Sequence, residues 1–308
     1  MNRYDRLMQR ILAGEKILID GATGHELFAR GVPRADYGWS GGAALTHPDV
    51  LRAIHEDYID LGASVVIANT FATSRHICRD AGIEDQFEFL NRRSVELAVE
   101  ARDGKAAELA LEQEQEQEQQ AEQVLVAGGI SHWSFSGEHP SLTELRRNME
   151  DEAAIMADAG ADLLMLEMMV DIERLLIVLQ SALKTGLPVW PGFSVKADKH
   201  GNTILWDGPL FVDALDAIAD SNVPLISIMH SNVEFVEPAI SVLQSKWGGP
   251  IGVYADAGKG DKITPAEYAG LAEGWLDQGV SVIGTCCGFG VDYIKALQPV
   301  VTAANQKA

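Results

Sequence analysis

Asp162-Leu163-Leu164-Met165-Leu166-Glu167-Met168-Met169 opens on Asp162 and is otherwise an apolar run without polar alternation, broken only by Glu167 near its C-terminal end. A strand with one wet face alternates, whereas a strand covered by helices on both faces does not. The run follows a segment of helical spacing, Leu142 to Ala159, after the glycine Gly160. A left-handed helix C-cap is easiest for glycine. The unit therefore reads as helix, cap, buried strand, with a polar residue at the strand's exit.

Seven further runs repeat that grammar: Lys16 to Asp20, Ser64 to Thr70, Val124 to Ile130, Pro188 to Val195, Pro224 to Ser231, Pro250 to Ala257 and Ser281 to Gly288. Between them lie helical patterns at Pro48 to Leu61, Gln86 to Ala107, Ile172 to Leu183, Phe211 to Asp220, Phe235 to Lys246 and Pro265 to Gln278, with Val291 to Ala304 last. Gly62, Gly186 and Gly279 punctuate helix ends as Gly160 does. Eight βα repeats in 308 residues predict an α/β fold, a (β/α)8 TIM barrel in a single domain spanning 1–308. The alternative, an open doubly wound sheet, would carry a glycine-rich phosphate turn after its first strand. Asp20-Gly21-Ala22-Thr23-Gly24 imitates that turn only in part, with no third glycine. One tract, 112–123, alternates Glu and Gln without an apolar face. It reads as a solvated insertion, either extending the helix that starts near Gln86 or looping before strand three.

Composition narrows the function classes. There are 24 Lys+Arg against 45 Asp+Glu, a net charge of −21, and no basic patch to offset it. Such a surface repels nucleic acid and anionic lipid headgroups, so neither is an expected partner. Met1 to Leu12 has no apolar core of a leader peptide, and no run approaches a membrane span. Three cysteines, Cys78, Cys286 and Cys287, do not make a disulfide framework. These features point to a cytoplasmic protein acting on small molecules, with homo-oligomerisation an open alternative.

In a barrel of this kind the chemistry sits at the C-terminal ends of the strands. Those ends are polar here: Asp20 with Gly21 and Ala22, Asn69-Thr70, Ser131-His132-Trp133, Glu167, Ser194, His230-Ser231-Asn232, Asp256 and Cys286-Cys287. Two of the three cysteines fall together at one strand end. Taken alone they read equally well as buried small hydrophobes. Consecutive strand residues point to opposite faces, so both thiols can bind one ion only across a break in the pleat, which Gly284 and Gly288 permit. His230, at the end of strand six, supplies a third soft ligand. Two thiolates and an imidazole suit Zn²⁺ with one position open, the pattern of a catalytic site.

At this point the sequence resembles the homocysteine S-methyltransferase family, zinc-dependent barrels that include betaine- and S-methylmethionine-dependent enzymes and the homocysteine module of methionine synthase. The likeness runs from Ile17 to Leu297. It rests on Leu18-Ile19-Asp20-Gly21-Ala22-Thr23-Gly24 with Glu26-Leu27 and Arg30-Gly31, and on His47-Pro48 with Ile54-His55 and Tyr58. It continues through Gly62-Ala63 with Asn69-Thr70-Phe71, Ala159 to Leu164 with Glu167, and Gly284-Thr285-Cys286-Cys287-Gly288. The resemblance implies zinc held by a cysteine after strand six and the vicinal pair after strand eight. Here the pair is present and His230 stands where the third cysteine would be. Asn69, Glu167 and the Asp20-Gly21 loop match positions that hold the homocysteine amino acid moiety. The chain departs from the pattern at Ser131-His132-Trp133, at Asp256 in place of Asn, and at Gly288-Phe289.

The expected reaction moves a methyl group from S-methylmethionine, S-adenosylmethionine or a betaine to the thiol of homocysteine. A free thiol of pKa about 8.5 is only about 3% thiolate at pH 7, and a bound cation removes that handicap. Two thiolates and one imidazole leave zinc near neutral, whereas three thiolates leave about −1. Glu167, Asp20 and Asn69 are the candidate catalytic residues. Gly21, Ala22, Thr70, Ser194 and Asp256 are candidate substrate contacts together with Glu167, and Trp133 is a candidate wall for a cationic methyl group. Two readings from other classes compete, a metal-dependent hydrolase using His230 and Asp256, and a non-catalytic binding protein that has lost a zinc ligand.

Overall fold

The computed structural model describes residues 1–36, 38–112, 117, 121–206, 208–257 and 263–307. Eight parallel strands form a barrel: β1 (Ile17–Leu18), β2 (Val65–Ile67), β3 (Leu125–Ile130), β4 (Leu163–Met169), β5 (Val189–Phe193), β8 (Ile226–Asn232), β9 (Ile251–Asp256) and β10 (Val282–Thr285). They pair in the order β1-β10-β9-β8-β5-β4-β3-β2, the (β/α)8 arrangement expected from the repeats. The ring closes where Ile19 bridges Val65. At that seam Ser64 N donates to Leu18 O at 2.8 Å and Asp20 N to Val65 O at 3.1 Å.

The unalternating strands have a simple cause. Leu163 and Met165 point into the barrel, where they pack with Ile17, Ile19, Val65, Leu125, Trp190 and Val282. Leu164 and Leu166 point outward and pack under the helices with Val66, Val126, Ile228 and Val253. Both faces are dry, so both sets of alternating positions must be apolar.

The helical layer comprises α4 (Pro48–Asp60), α6 (Phe87–Glu112), α7 (Leu142–Asp158), α8 (Ile172–Leu183), α9 (Phe211–Ala217), α10 (Val233–Lys246), α11 (Pro265–Asp277) and α12 (Val291–Lys307). Their starts follow local chemistry. Ser141 and Asp171 cap α7 and α8 with side-chain oxygens, and Thr264 and Glu267 form a reciprocal capping box ahead of α11. Gly62, Gly160, Gly186 and Gly279 adopt φ of 88°, 102°, 77° and 100°, as their reading as helix ends requires.

Sequence patterning missed the short elements. Helices α2 (Thr23–Ala29), α3 (Ala43–Thr46) and α5 (Arg75–Asp80) lie in stretches to which patterning assigns no element, and Val195 leaves the fifth strand to open a hairpin, β6 (Val195–Ala197) with β7 (Thr203–Leu205). Helix α1 (Arg3–Leu12) was also unforeseen. Its Leu7 and Ile11 join the cluster inside the barrel, and Trp190 Nε1 donates to the Tyr4 hydroxyl at 3.0 Å. The segment is thus a plug for one end of the barrel. Of the tract at 112–123, residues 113–116 and 118–120 lie outside the described residues. No helix among the described residues is long and apolar enough to cross a membrane.

Candidate metal centre

Two strands carry one extra residue each, and both irregularities fall at the same end of the barrel. On β4 the register against β5 slips between Leu166 and Met169, and on β8 the register against β9 slips between Met229 and Asn232. These are β-bulges, each with a residue in the left-handed region: Met168 at φ 55° and His230 at φ 44°. A bulge turns two consecutive side chains to the same face. Glu167 and Met168 accordingly both reach the central cavity, as do Met229 and His230. The bulges touch each other, since Met168 N donates to Met229 Sδ at 3.0 Å.

Strand β10 ends at Thr285, so the vicinal cysteines lie in the turn that follows. Cys286 N donates to Ala255 O at 2.8 Å, and Ala257 N donates to Cys287 O at 3.0 Å, tying the turn to the end of β9. Gly288 has φ 84° and closes on Ala257, where a Cβ would lie 2.6 Å from the alanine methyl. The break in the pleat demanded by two thiols on one ion is therefore the end of the strand itself.

The ligand atoms of His230, Cys286 and Cys287 all lie within 4.8 Å of one another, the only such cluster of three or more among the described residues. His230 Nδ1 is 3.4 Å from Cys286 Sγ. Tetrahedral zinc with Zn–S of about 2.3 Å and Zn–N of about 2.0–2.1 Å separates its ligand atoms by about 3.5–4 Å, so donor type and spacing both fit the ion. The pair also shares its protons unequally. Hydrogen bonding from Cys286, then from His230, holds Cys287 well below the thiol range, while Cys286 is pushed well above it by its bond to Cys287 and by burial. Burial opposes a charge on His230, but the hydrogen bond to Cys287 and the charges of Cys287, Asp256 and Glu167 outweigh it and raise its pKa.

Glu167 faces this cluster across a cavity of about 110 Å³. Burial, helped by the Cys287 charge and opposed by His230, pushes its carboxyl up to about 8. A buried carboxyl poised in that way is suited to a cationic partner. Gly21, Ala22 and Asn69 also line the cavity, Asn69 held by donation from its Nδ2 to Ser40 O at 2.8 Å.

The remaining predicted site residues do not line it. Asp20 accepts from Ile67 N at 2.7 Å, extending the barrel seam, and burial pushes its carboxyl well above the usual range. Thr70 Oγ1 bridges to β3, donating to Gly129 O at 2.8 Å and accepting from Gly129 N at 2.9 Å. Ser194 Oγ donates to Met229 O at 2.9 Å. Each thus has its side chain engaged between neighbouring strands. Asp256 Oδ2 lies 3.4 Å from His230 Nδ1, the same nitrogen that faces Cys286 Sγ. Trp133 packs edge-on against Trp206 at 6.3 Å, and it is Trp206, from the end of the unforeseen hairpin, that lies 5.2 Å from the His230 ring. His25, Trp39, Phe71 and Tyr254 line the cavity too. Of these, only Tyr254 could be found by pattern, as a polar-tipped aromatic at an inward position of β9.

A model of the family described as homocysteine S-methyltransferase matches residues 17–301. Among curated relatives, the selenocysteine methyltransferase of Astragalus bisulcatus is 24% identical, covering 95% of this chain and 94% of that protein. The homocysteine S-methyltransferase of Escherichia coli strain K12 is 27% identical, covering 88% and 90%. Among solved structures, the metallated form of the homocysteine methyltransferase MmuM from Escherichia coli superimposes with a TM-score of 0.79 at 26% identity, covering 97% of this chain and 99% of that one.

Proposed function

The chain belongs to the homocysteine S-methyltransferase family, and on that premise we propose that it is a zinc-dependent methyltransferase whose acceptor is the thiol of homocysteine. The observation that carries the metal assignment is the cluster of His230, Cys286 and Cys287 in the lining of a cavity that Glu167 also lines. Zinc held by these three residues would supply an open coordination position that favours the deprotonated acceptor thiol.

The protein's own groups do the rest. Glu167 takes the substrate ammonium, which stabilises the carboxylate against the burial that otherwise keeps it protonated. Asn69 and the backbone around Gly21 and Ala22 hold the polar end of the substrate, so that its sulfur points toward the thiols. The sulfur then attacks the donor methyl carbon; the new S–C bond forms as the bond to the donor's sulfonium sulfur or ammonium nitrogen breaks, and the donor leaves uncharged at that atom. Alignment of the two reactants is the main contribution expected of such a site. Residues 1–308 act as one catalytic unit in this reading, and S-methylmethionine, S-adenosylmethionine and betaine are the donors to try.

Zinc content and turnover test it together. Protein purified under reducing conditions is expected to hold about one zinc per chain and to make methionine from homocysteine with at least one of the three donors. Cys286→Ser and His230→Ala are expected to lose both. Wild-type protein that is metal-free, or that is zinc-loaded yet makes no methionine from any donor, overturns the proposal.

A further inference from the structure

We infer that Met229 is a positioning residue for the acceptor: its thioether ties the strand that carries Glu167 to the strand that carries His230, and so sets the spacing by which homocysteine is selected over a shorter thiol. This deepens the zinc-dependent reading above and rests on it. Strands β4 and β8 are not neighbours, because β5 runs between them. The Met229 side chain spans that gap from β8. It passes β5 at Gly192, where a Cβ would lie 2.8 Å from Met229 Cγ and 2.9 Å from Leu166 O of β4. Its sulfur then accepts from Met168 N, in the β4 bulge, at 3.0 Å.

In that bulge Glu167 and Met168 together oppose Gly192 alone, which leaves one residue outside the regular ladder. Met168 is 3% exposed and Met229 2%, and at that depth a backbone N–H without an acceptor is rare and costly. Other bonds fix the strut at its root. Ser194 Oγ and Ser231 Oγ each donate to Met229 O at 2.9 Å, and Ser194 Oγ is 3.5 Å from the sulfur. Met168 at φ 55° and His230 at φ 44° hold conformations that persist only where their surroundings impose them. Through Met229, each bulge is imposed on the other. Glu167 precedes Met168 in the chain and His230 follows Met229, so the bond holds the ammonium site at a set distance from the metal ligand. An acceptor that bridges the two must match that distance, and one methylene in such a match is worth about 10–200-fold.

The test is the exchange of one amide and the choice between two acceptors. Met229→Leu conserves the volume and removes the sulfur. It is expected to speed deuterium exchange at the Met168 amide about tenfold, read by NMR in metal-free and zinc-loaded protein alike. With both proteins zinc-loaded, it is also expected to lower the ratio of kcat/KM for homocysteine to that for cysteine about tenfold. Met229→Gln returns an acceptor oxygen to the same place and is expected to restore most of the protection and of the ratio; failure to do so counts against the inference. Met165→Leu, in the same buried cluster but outside the bulges, is expected to leave both at wild-type values. An equal change there overturns the inference by reducing it to packing. So does an unchanged ratio in Met229→Leu, or a Met168 amide that exchanges freely in the wild-type protein, a measurement that needs no variant to fold. A wild-type chain that holds no zinc or makes no methionine defeats the functional proposal, whereas an active zinc enzyme whose Met229→Leu form still selects homocysteine as before defeats this inference alone.

Discussion

The Glu167 carboxylate occupies the space that a side chain at position 129 would need. A Cβ built on Gly129 of β3 would lie 2.5 Å from Glu167 Oε2 and 3.2 Å from Ile67 Cγ2. Gly129→Ala should therefore push the carboxylate off its present line into the cavity. Overpacking of this kind typically costs about 1–3 kcal/mol. The expected outcome is a lowered thermal midpoint with a KM for homocysteine raised about tenfold, as one weakened charged contact of about 1.4 kcal/mol would give. An unchanged KM would mean that Glu167 does not hold the substrate ammonium.

Glu167 should also leave a mark on stability against pH in the metal-free protein. Its carboxyl is raised from 4.5 to about 8, so between those values the folded state holds a proton that the unfolded state has released. Stability from this group is complete below pH 4.5 and is lost as pH rises through 8. Between pH 6 and 9 the loss should be about 2–3 kcal/mol. Denaturant titrations of chelator-treated protein should show that loss, and Glu167→Gln should show correspondingly less of it.

Two buried histidines predict the opposite slope on the acid side. Burial lowers His55 and His132 from 6.5 to about 4, and the ring nitrogens of both have no hydrogen-bond partner among the described residues. The unfolded chain binds protons in that window and the folded chain does not. Stability is thus complete above pH 6.5 and is lost as pH falls toward 4, by about 2 kcal/mol for each histidine between pH 7 and 5. His55→Gln should flatten the measured slope by that share; an unaltered slope would sink the assignment.

Tyr4→Phe tests the plug separately from the chemistry. It removes the acceptor for Trp190 Nε1, which is fully buried. An orphaned buried donor costs about 1–3 kcal/mol. The denaturation midpoint should fall accordingly, while zinc content and KM stay at wild-type values. A change in zinc content would show that the plug reaches the metal end of the barrel.

The expected helical segments from Pro48 onward could be read from the sequence because each buries a periodic face, and three of them begin at a side-chain cap, Ser141, Asp171 or Thr264. Helix α1 carries the same kind of signal, with Tyr4, Leu7, Met8, Ile11 and Leu12 at helical spacing behind the Asn2 cap; what the sequence does not show is its partner, the inside of the barrel, which exists only after eight strands have assembled. The hairpin bearing Trp206 was hidden for another reason. Its first strand, Val195–Ala197, is three residues long and follows β5 after Ser194 alone, with no turn signal between them.

The site divides in the same way. Cys286 and Cys287 are adjacent in the chain, so their meeting needed only a turn, and Gly288 at φ 84° announces one. Glu167 and His230 were found as polar residues ending apolar runs, and alternation from Leu163 and Met165 already turns Glu167 inward, whereas it would have turned Met168 and His230 toward the helices. What brings those two inward is one extra residue in β4 and one in β8, and a bulge is defined by the count on the partner strand, which no single run contains. Asp20, Thr70 and Ser194 show the converse. They have the composition of site residues, yet their side chains bond to adjacent strands.

By itself, then, the sequence determined the barrel and the vicinal thiols, because burial on both faces of a strand and adjacency along a chain are local properties written in residue type and order. Only the tertiary structure decided that His230 joins those thiols in the cavity that Glu167 also lines, because strand register, and with it the face each side chain meets, is set between strands distant in the chain.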